Sequence, residues 1–247
     1  MPSTGRDLLR AAVMCAAIAT GGPLIAGDAS TPTATELTVD QAAAIAGVQG
    51  DIELSHLRTL SPEVADLLSR CGGVILLNGL TTLSPETAAS LSQQDAFIEL
   101  NGLAELPLDT ALALITPDSP RALSLRGLKG INDETAELMG AHSGHLRLGG
   151  LEFVTDRQIE LLAKHRGFLG LPALKQLSAR AAVALGRHEG LLGLSGLTEL
   201  SPEAAAGLAA HRQFIRMDGL RTISDEVATA LSRHQGPLGL SGITTLS

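Results

Sequence analysis

The feature that most constrains this chain is a repeated sentence. "LLGLSGLTELSPEAAAGLAAHRQ", residues 191–213, runs straight into "FIRMDGLRTISDEVATALSRHQG", residues 214–236, with the same leucine spacing, the same serine before a proline or acid, and the same late histidine. The first apolar residue of the pattern recurs at Ile52, Ile75, Ile98, Leu123, Leu146, Leu169, Leu192, Ile215 and Leu238. Each step is 23 residues except the third, which is 25; the extra pair falls in "ITPDSPRA", residues 115–122, as a loop insertion after a helix. A period in the twenties with this leucine content predicts a solenoid of stacked units.

Each unit carries two periodicities. "LLGLSGL" alternates as a strand with one buried face, whereas "SPEAAAGLAAH" sets Ala205, Leu208 and Ala209 at helical spacing. Ser61, Ser84, Thr155, Ser178, Ser201 and Ser224 share one column and are expected to cap helices, and Thr38 opens an extra helix before the first strand. Pro62, Pro85 and Pro202 stand at the first helical position, where a missing N–H costs nothing, and Glu63, Glu86, Glu203 and Glu226 follow beside the positive helix end. Gly50, Gly73, Gly144, Gly167, Gly190 and Gly236 are expected to stop the helices in the left-handed conformation. One unit buries four or five leucine-sized groups at roughly 1.5–3 kcal/mol each, while ordering its backbone costs about 1–2 kcal/mol per residue, so a single copy does not fold alone.

Composition fits such a stack. Apolar residues make up 45% of the 247, yet there is no Trp or Tyr and only four Phe, so the core is built from Leu, Ile, Val and Ala in many similar small layers. A net charge of −8 argues against a general nucleic-acid or anionic-membrane surface, each of which needs basic residues. Residues 1–29, with two arginines, an apolar stretch and a Gly/Pro break, read as an export signal, and residues 30–36 as a polar linker. The expected location is therefore secreted, periplasmic or on the cell surface, with no membrane insertion once the signal is removed. Cys71 would then be the sole cysteine, which excludes an internal disulfide. The solenoid is expected over 37–247, and its end at "ITTLS", with no polar cap, suggests truncation or edge-to-edge self-association.

The motif "LxLxGLxxLS" followed by a short helix resembles bacterial leucine-rich-repeat proteins, including the 23-residue class, over roughly residues 34–247. The resemblance implies an α/β solenoid of about nine repeats, with a parallel sheet on one face and short helices on the other, used for protein or ligand binding. It implies no reaction. This chain departs from the usual pattern in one respect: leucine (isoleucine at 243) stands where that pattern has a buried Asn or Cys, so no asparagine ladder is available there.

Two sets of side chains stand out as candidate sites. His142, His165, His188, His211 and His234 are spaced by 23 and must form a column at the helix C-termini. Its bland role is to satisfy helix-end carbonyls; its sharper ones are metal binding and pH sensing, with loss of stability in the C-terminal half below about pH 6. The second set is the outward strand face. There Val74, Phe97, His145, Phe168, Leu191 and Phe214 precede the inward pair, Glu99, Arg147 and Arg216 lie within it, and Arg126 follows it. An apolar row edged with charge suits a protein or peptide partner, unless the Phe rings simply finish the core. Catalytic signals are weak, since Ser195 and Ser241 lie within strands rather than in a nucleophile elbow, and the recurring Ser-Pro-Glu units read as caps. The sequence thus favours a non-enzymatic, cofactor-free binding scaffold. A structural spacer and a metal-dependent or hydrolytic enzyme are the alternatives.

Overall fold

The computed structural model describes residues 35–93, 97–117 and 119–246. The export-signal reading of residues 1–29 and most of the linker lie outside them. The chain forms two compact units, the first running to Thr116 and including Arg121–Ser124, the second taking Pro117–Pro120 and everything from Leu125 on.

In the first unit, helices α1 (Val39–Ile45), α2 (Pro62–Leu68), α3 (Pro85–Ser92) and α4 (Leu108–Leu114) alternate with strands β1 (Ile52–Glu53), β2 (Ile75–Leu76), β3 (Ile98–Glu99) and β4 (Leu123–Ser124). The strands pair in order and in parallel, with Ile52 beside Ile75, Ile75 beside Ile98 and Ile98 beside Leu123. Each helix packs on the next.

The second unit repeats the scheme with α5 (Asp133–Ala141), β5 (Leu146–Arg147), α6 (Asp156–Leu162), β6 (Leu169–Gly170), α7 (Ala179–Leu185), β7 (Leu192–Gly193), α8 (Pro202–Leu208), β8 (Ile215–Arg216), β9 (Thr222–Ile223), α9 (Asp225–Leu231), β10 (Leu238–Gly239) and β11 (Thr245–Leu246). Leu146, Leu169, Leu192, Ile215 and Leu238 stand side by side along a parallel ladder. A small parallel pair, β9 with β11, was not anticipated; it forms where Thr222 and Ile223 give β-branched residues to the entry turn. Each unit is therefore an α/β leucine-rich-repeat-like solenoid, a row of strands and a row of helices enclosing the leucines.

Those leucines are the core. Leu169, Leu171, Leu192, Leu194 and Leu197 are fully buried, as are their counterparts Ile75, Leu77 and Leu80. The backbone closes around them by two cross-repeat bonds per layer, such as Leu169 N–H to Leu191 O and Leu171 N–H to Gly193 O. The expected caps are in place: Ser61, Ser84, Thr155, Ser178, Ser201 and Ser224 each accept the amide three residues on. Asn132 does the same for α5, and Pro107 leaves α4 without a side-chain cap. Thr38–Gln41 and Thr155–Gln158 close full capping boxes, using Gln at the third position rather than the Glu that follows one residue earlier in other copies.

The glycine column works differently from expectation. Among the described glycines the left-handed conformation occurs at Gly47, φ 83°, just past α1. Later helices end through right-handed caps such as Ser69, Ala163 and Ala209. Glycine is needed at 167 and 236 for close approach instead: a Cβ on Gly167 would sit 2.5 Å from the Gly144 carbonyl oxygen, and one on Gly236 2.6 Å from that of Gln213.

Polar ties replace the missing asparagine ladder. Buried Thr87 and Thr110 donate their hydroxyls to Leu60 O (3.1 Å) and Leu83 O (3.2 Å) of the preceding repeat, and Gln158 Nε2 donates to Ile131 O (2.8 Å). Along the strand ends of the first unit, Asn101 N–H donates to Asn78 Oδ1 (3.1 Å) and Ser124 Oγ to Asn101 Oδ1 (2.7 Å), so the NGL asparagines link layers as well as turn the chain.

Because the core is shared between layers, Leu169→Ala should lower unfolding free energy by about 2–5 kcal/mol in urea titration, whereas Phe153→Ser, at a side chain 87% exposed, should stay within about 0.5 kcal/mol. Equal effects would contradict a core built from the leucine columns.

Candidate functional site

The histidine column is a real stack. Successive rings of His142, His165, His188, His211 and His234 lie 6.0, 5.9, 6.0 and 6.1 Å apart, and the last three pairs are within 11° of parallel. The first four are buried. Each follows the end of a helix, so the 23-residue step stacks ring on ring. His188 meets the Ala163 carbonyl at 3.4 Å and that of Gly167 at 3.1 Å; His211 meets those of Gln213 at 3.0 Å and Gly190 at 2.9 Å.

Other residues at the helix ends do the same work. The Cys71 thiol donates to Ile45 O, and buried Arg121, two residues past Ser119 in the column, donates to Leu91 O and Leu114 O at the ends of α3 and α4. Arg121 was missed in the sequence because its two-residue offset hides it from a 23-residue count. Its positive charge sits on two negative helix ends.

This arrangement does not gather ligands for a metal. Near-parallel rings about 6 Å apart hold equivalent nitrogens too far apart to share one zinc ion, whose bonds to nitrogen are roughly 2.0–2.1 Å. Among the described residues no group of three or more His, Cys, Asp or Glu is placed to hold a metal.

Burial sets the protonation of the three middle rings. It pushes His165 down to about 4, with repulsion from His188 and then His142 adding to it and the carbonyls of Gly144 and Gly167 opposing it, although neither ring nitrogen makes a hydrogen bond of good geometry. Burial also lowers His188 and His211, against the pull of their carbonyls.

The outward strand face provides the other site. In the second unit Arg126, Arg147, Phe168, Leu191, Phe214 and Arg216 surround one open depression of about 430 Å³, with Gly149, Gly170, Pro172, Gly193 and Ser195 completing its lining. Two of those glycines explain its form. A Cβ on Gly170 or on Gly193 would stand 3.0 Å from the Phe168 ring, so the two bare positions let that ring lie close along the outer surface of the sheet. Phe214 lies likewise across Gly239, with the Arg216 guanidinium 5.8 Å from its ring centre.

The rings are half-buried on the strand face and do not enter the leucine core. His145 stands exposed with its edge to Phe168, 5.9 Å between centres. Leu191 is 42% exposed. Arg216 lies 3.6 Å from Asp218, whose carboxyl is held below the usual range chiefly by the Ser241 hydroxyl, with the Ser241 amide and Arg216 assisting.

Val74, Phe97 and Glu99 belong to the first unit. Val74 and Phe97 are half-buried beside their strands, and Glu99 accepts from Asn78 and Asn101 at 3.1 Å each, within the polar ladder. The candidate serines split: Ser195 lines the depression, and Ser241 is bonded to Asp218.

No family profile matches the sequence, and no curated protein is similar enough to match. Among solved structures the chain is similar to a leucine-rich-repeat protein of Leptospira interrogans, at 17% identity and a TM-score of 0.41. That match takes in 86% of this chain and 66% of the other, so the chain spans slightly less than two thirds of that neighbour's length.

The stack makes a pH-dependent contribution whose sign follows from burial. Imidazoles that stay neutral when folded take up protons on unfolding, so stability is full above the ordinary histidine value of 6.5 and falls as pH drops toward 4. His165 alone accounts for a loss on the order of 3 kcal/mol across that range. Thermal melts from pH 8 to 5 should show the fall, and His165→Gln should shrink it; a melting temperature flat over that span would dismiss the titrating stack.

Proposed function

We propose that the protein is a non-enzymatic binding scaffold that takes an extended peptide, or an exposed loop of a partner protein, on the strand face of its second unit. The observation that carries this reading is the depression at Phe168. In the core columns every layer keeps a leucine or its equivalent, whereas here two adjacent layers give up their outward side chains at Gly170 and Gly193. That clears a shelf on which an aromatic ring lies half open to solvent beside exposed Leu191. Exposed apolar surface on a soluble domain is costly, and rigid aromatic anchors set in a shallow pocket with a polar rim are where binding energy concentrates. Strand-borne positions are also rigid, which reduces the ordering cost on association.

The surroundings support binding rather than chemistry. The lining carries no histidine or carboxylate beside Ser195. Such a scaffold works, on this proposal, outside the cytoplasm: residues 1–29 carry the export pattern, and stability rests on packing rather than on disulfides. Among the described residues no helix is long and apolar enough to cross a membrane.

Display of random dodecapeptides against the purified full chain tests the proposal. Binders should be recovered, and the double variant Phe168→Ser, Phe214→Ser should weaken them at least ten-fold while its circular dichroism and cooperative melt persist. A chain that selects no binder sensitive to these two rings is a spacer, not a receptor.

A further inference from the structure

The edge of the second unit where helices hand over to strands carries a charge that the strand-face depression does not use. From it we infer a second binding surface: a basic row that takes an extended acidic segment of a partner protein, with carboxylates at alternate positions. It is independent of the site at Phe168.

The row follows from the histidine column. Each ring of the stack is flanked in sequence by residues that turn outward. Around His165, His188, His211 and His234 those neighbours include Lys164, Arg166, Arg187, Arg212 and Arg233, all exposed, against the single acid Glu189. Every one of these successive layers thus gives at least one cation. The rings step by 5.9, 6.0 and 6.1 Å, and the flanking positions step with them. Arg187 lines two open depressions, one of about 700 Å³ shared with Lys164 and one of about 470 Å³ shared with Arg212, Glu189 and Gln213, so the row is continuous from layer to layer. The Glu160 carboxylate in the first depression is already held by Arg180, at 2.6 Å.

Helix-end cations ordinarily serve the carbonyls left open there. Arg121 shows that role in this protein, buried and donating to Leu91 O and Leu114 O. Arg70, beside Cys71 in the first unit, shows the other common fate, an ion pair with Asp66 at 2.7 Å. Arg166, Arg187, Arg212 and Arg233 do neither: among the described residues no hydrogen bond or ion pair reaches their guanidinium groups, and Lys164 meets Glu137 at 4.0 Å, with both side chains exposed. Like charges in adjacent layers repel, and guanidinium groups only donate, so the row gains most from acceptors brought by a partner. In a molecule of net charge −8 it is a local reversal of sign that orients an approaching acid.

The period selects the ligand. An extended chain advances about 3.3 Å per residue and returns a side chain to the same side every second residue, about 6.6 Å on. Acids at alternate positions therefore meet successive layers, and the long arginine side chains take up the small difference from the 6.0 Å step. The two depressions have no exposed aromatic side chain in their linings on which a base could stack, which favours a peptide over a single-stranded nucleic acid. The cations form one narrow row rather than a broad face, which favours it over an anionic membrane.

Fluorescence anisotropy of labelled peptides on the full chain tests this. The reference probe is Ser-Glu-Ser-Glu-Ser-Glu-Ser-Glu; comparison peptides carry Gln for every Glu, Lys for every Glu, or the same Glu residues in one block. The reference is expected to bind at least ten-fold more tightly than the Gln form and at least three-fold more tightly than the block, and to weaken as salt rises from 50 to 500 mM. The double variant Arg187→Glu, Arg212→Glu should weaken it at least ten-fold and gain affinity for the Lys peptide. Lys129→Glu with Lys175→Glu, the same change of net charge at exposed positions in the turns that lead into the helices, should stay within two-fold. Melting curves report whether each variant is folded, and Arg187→Gln with Arg212→Gln reads the same loss should the Glu pair unfold. Phe168→Ser with Phe214→Ser should leave the reference affinity unchanged, which separates this surface from the strand face. Equal binding of the reference and its Gln or block form, or equal losses in the two charge-reversed variants, overturns the inference. So does an oligothymidylate, or a phosphatidylserine vesicle, held more tightly than the peptide through Arg187 and Arg212.

Discussion

Everything in this protein follows from a core that no repeat owns. Leu169, Leu171 and Leu174 are buried because layers on either side cover them, and their own layer contributes only one slice of the interior. Stacking at the strand spacing forces equivalent residues into columns. A residue type tolerated once must then be tolerated against its own copies: leucine passes that test by interdigitating, glycine by making room for the next carbonyl, and threonine by bonding backward to the preceding turn. The buried hydroxyls of Thr87 and Thr110 show the last case, each satisfying a carbonyl that would otherwise be closed off from water.

The histidines show how far that rule reaches. Stacking buried imidazoles would be unfavourable if they were charged, and burial and mutual repulsion keep them neutral. A neutral ring carries one N–H, yet His211 has carbonyl oxygens at both nitrogens, so one contact is an acceptor facing an acceptor. The column therefore holds a tension between burial, which disfavours the proton, and carbonyl placement, which invites it. The helix ends gain partners, and the cost is a stability that depends on pH.

The period, the strand and helix assignments, the caps and the leucine columns were legible because each is a local pattern copied many times. Noise at one position, such as Pro107 at a cap site, is outvoted by the other copies. What was not legible depended on contacts between layers at positions that vary. The glycines before the strands read as left-handed stops, since a sequence does not show that the carbonyl one repeat back stands 2.5 Å from the absent Cβ of Gly167. Arg121 was hidden by the insertion that shifts it off register. At the candidate site the outward set was expected as a row along the strands; the structure gathers Arg126, Arg147, Phe168, Leu191, Phe214 and Arg216 around one depression, where the Phe168 ring lies over Gly170 and Gly193. The pattern Phe-Leu-Gly followed 23 residues later by Leu-Leu-Gly was the available signal.

The same columns also show how one geometry yields different chemistry. In the first unit the outward positions hold Glu53, Leu76, Glu99 and Ser124, and the position after the second leucine holds Ser55, Asn78 and Asn101. Those side chains bond to one another, Asn78 to Glu99 across layers and Asn101 to Glu99 within its own, and so spend hydrogen-bonding capacity inside the protein. In the second unit the equivalent positions hold Arg147, Gly170, Gly193, Arg216 and Gly239, and the flanking column holds Arg126, Gly149, Pro172, Ser195, Asp218 and Ser241. Bare glycine and proline cannot make a side-chain ladder, so the side-chain bonding across layers resumes at Asp218, which accepts from Ser241. The fold supplies identical frames in both units, and the choice of residue in two columns decides whether the outward side chains bond one another, as at Asn78 and Glu99, or leave room for a ring, as at Gly170 and Gly193.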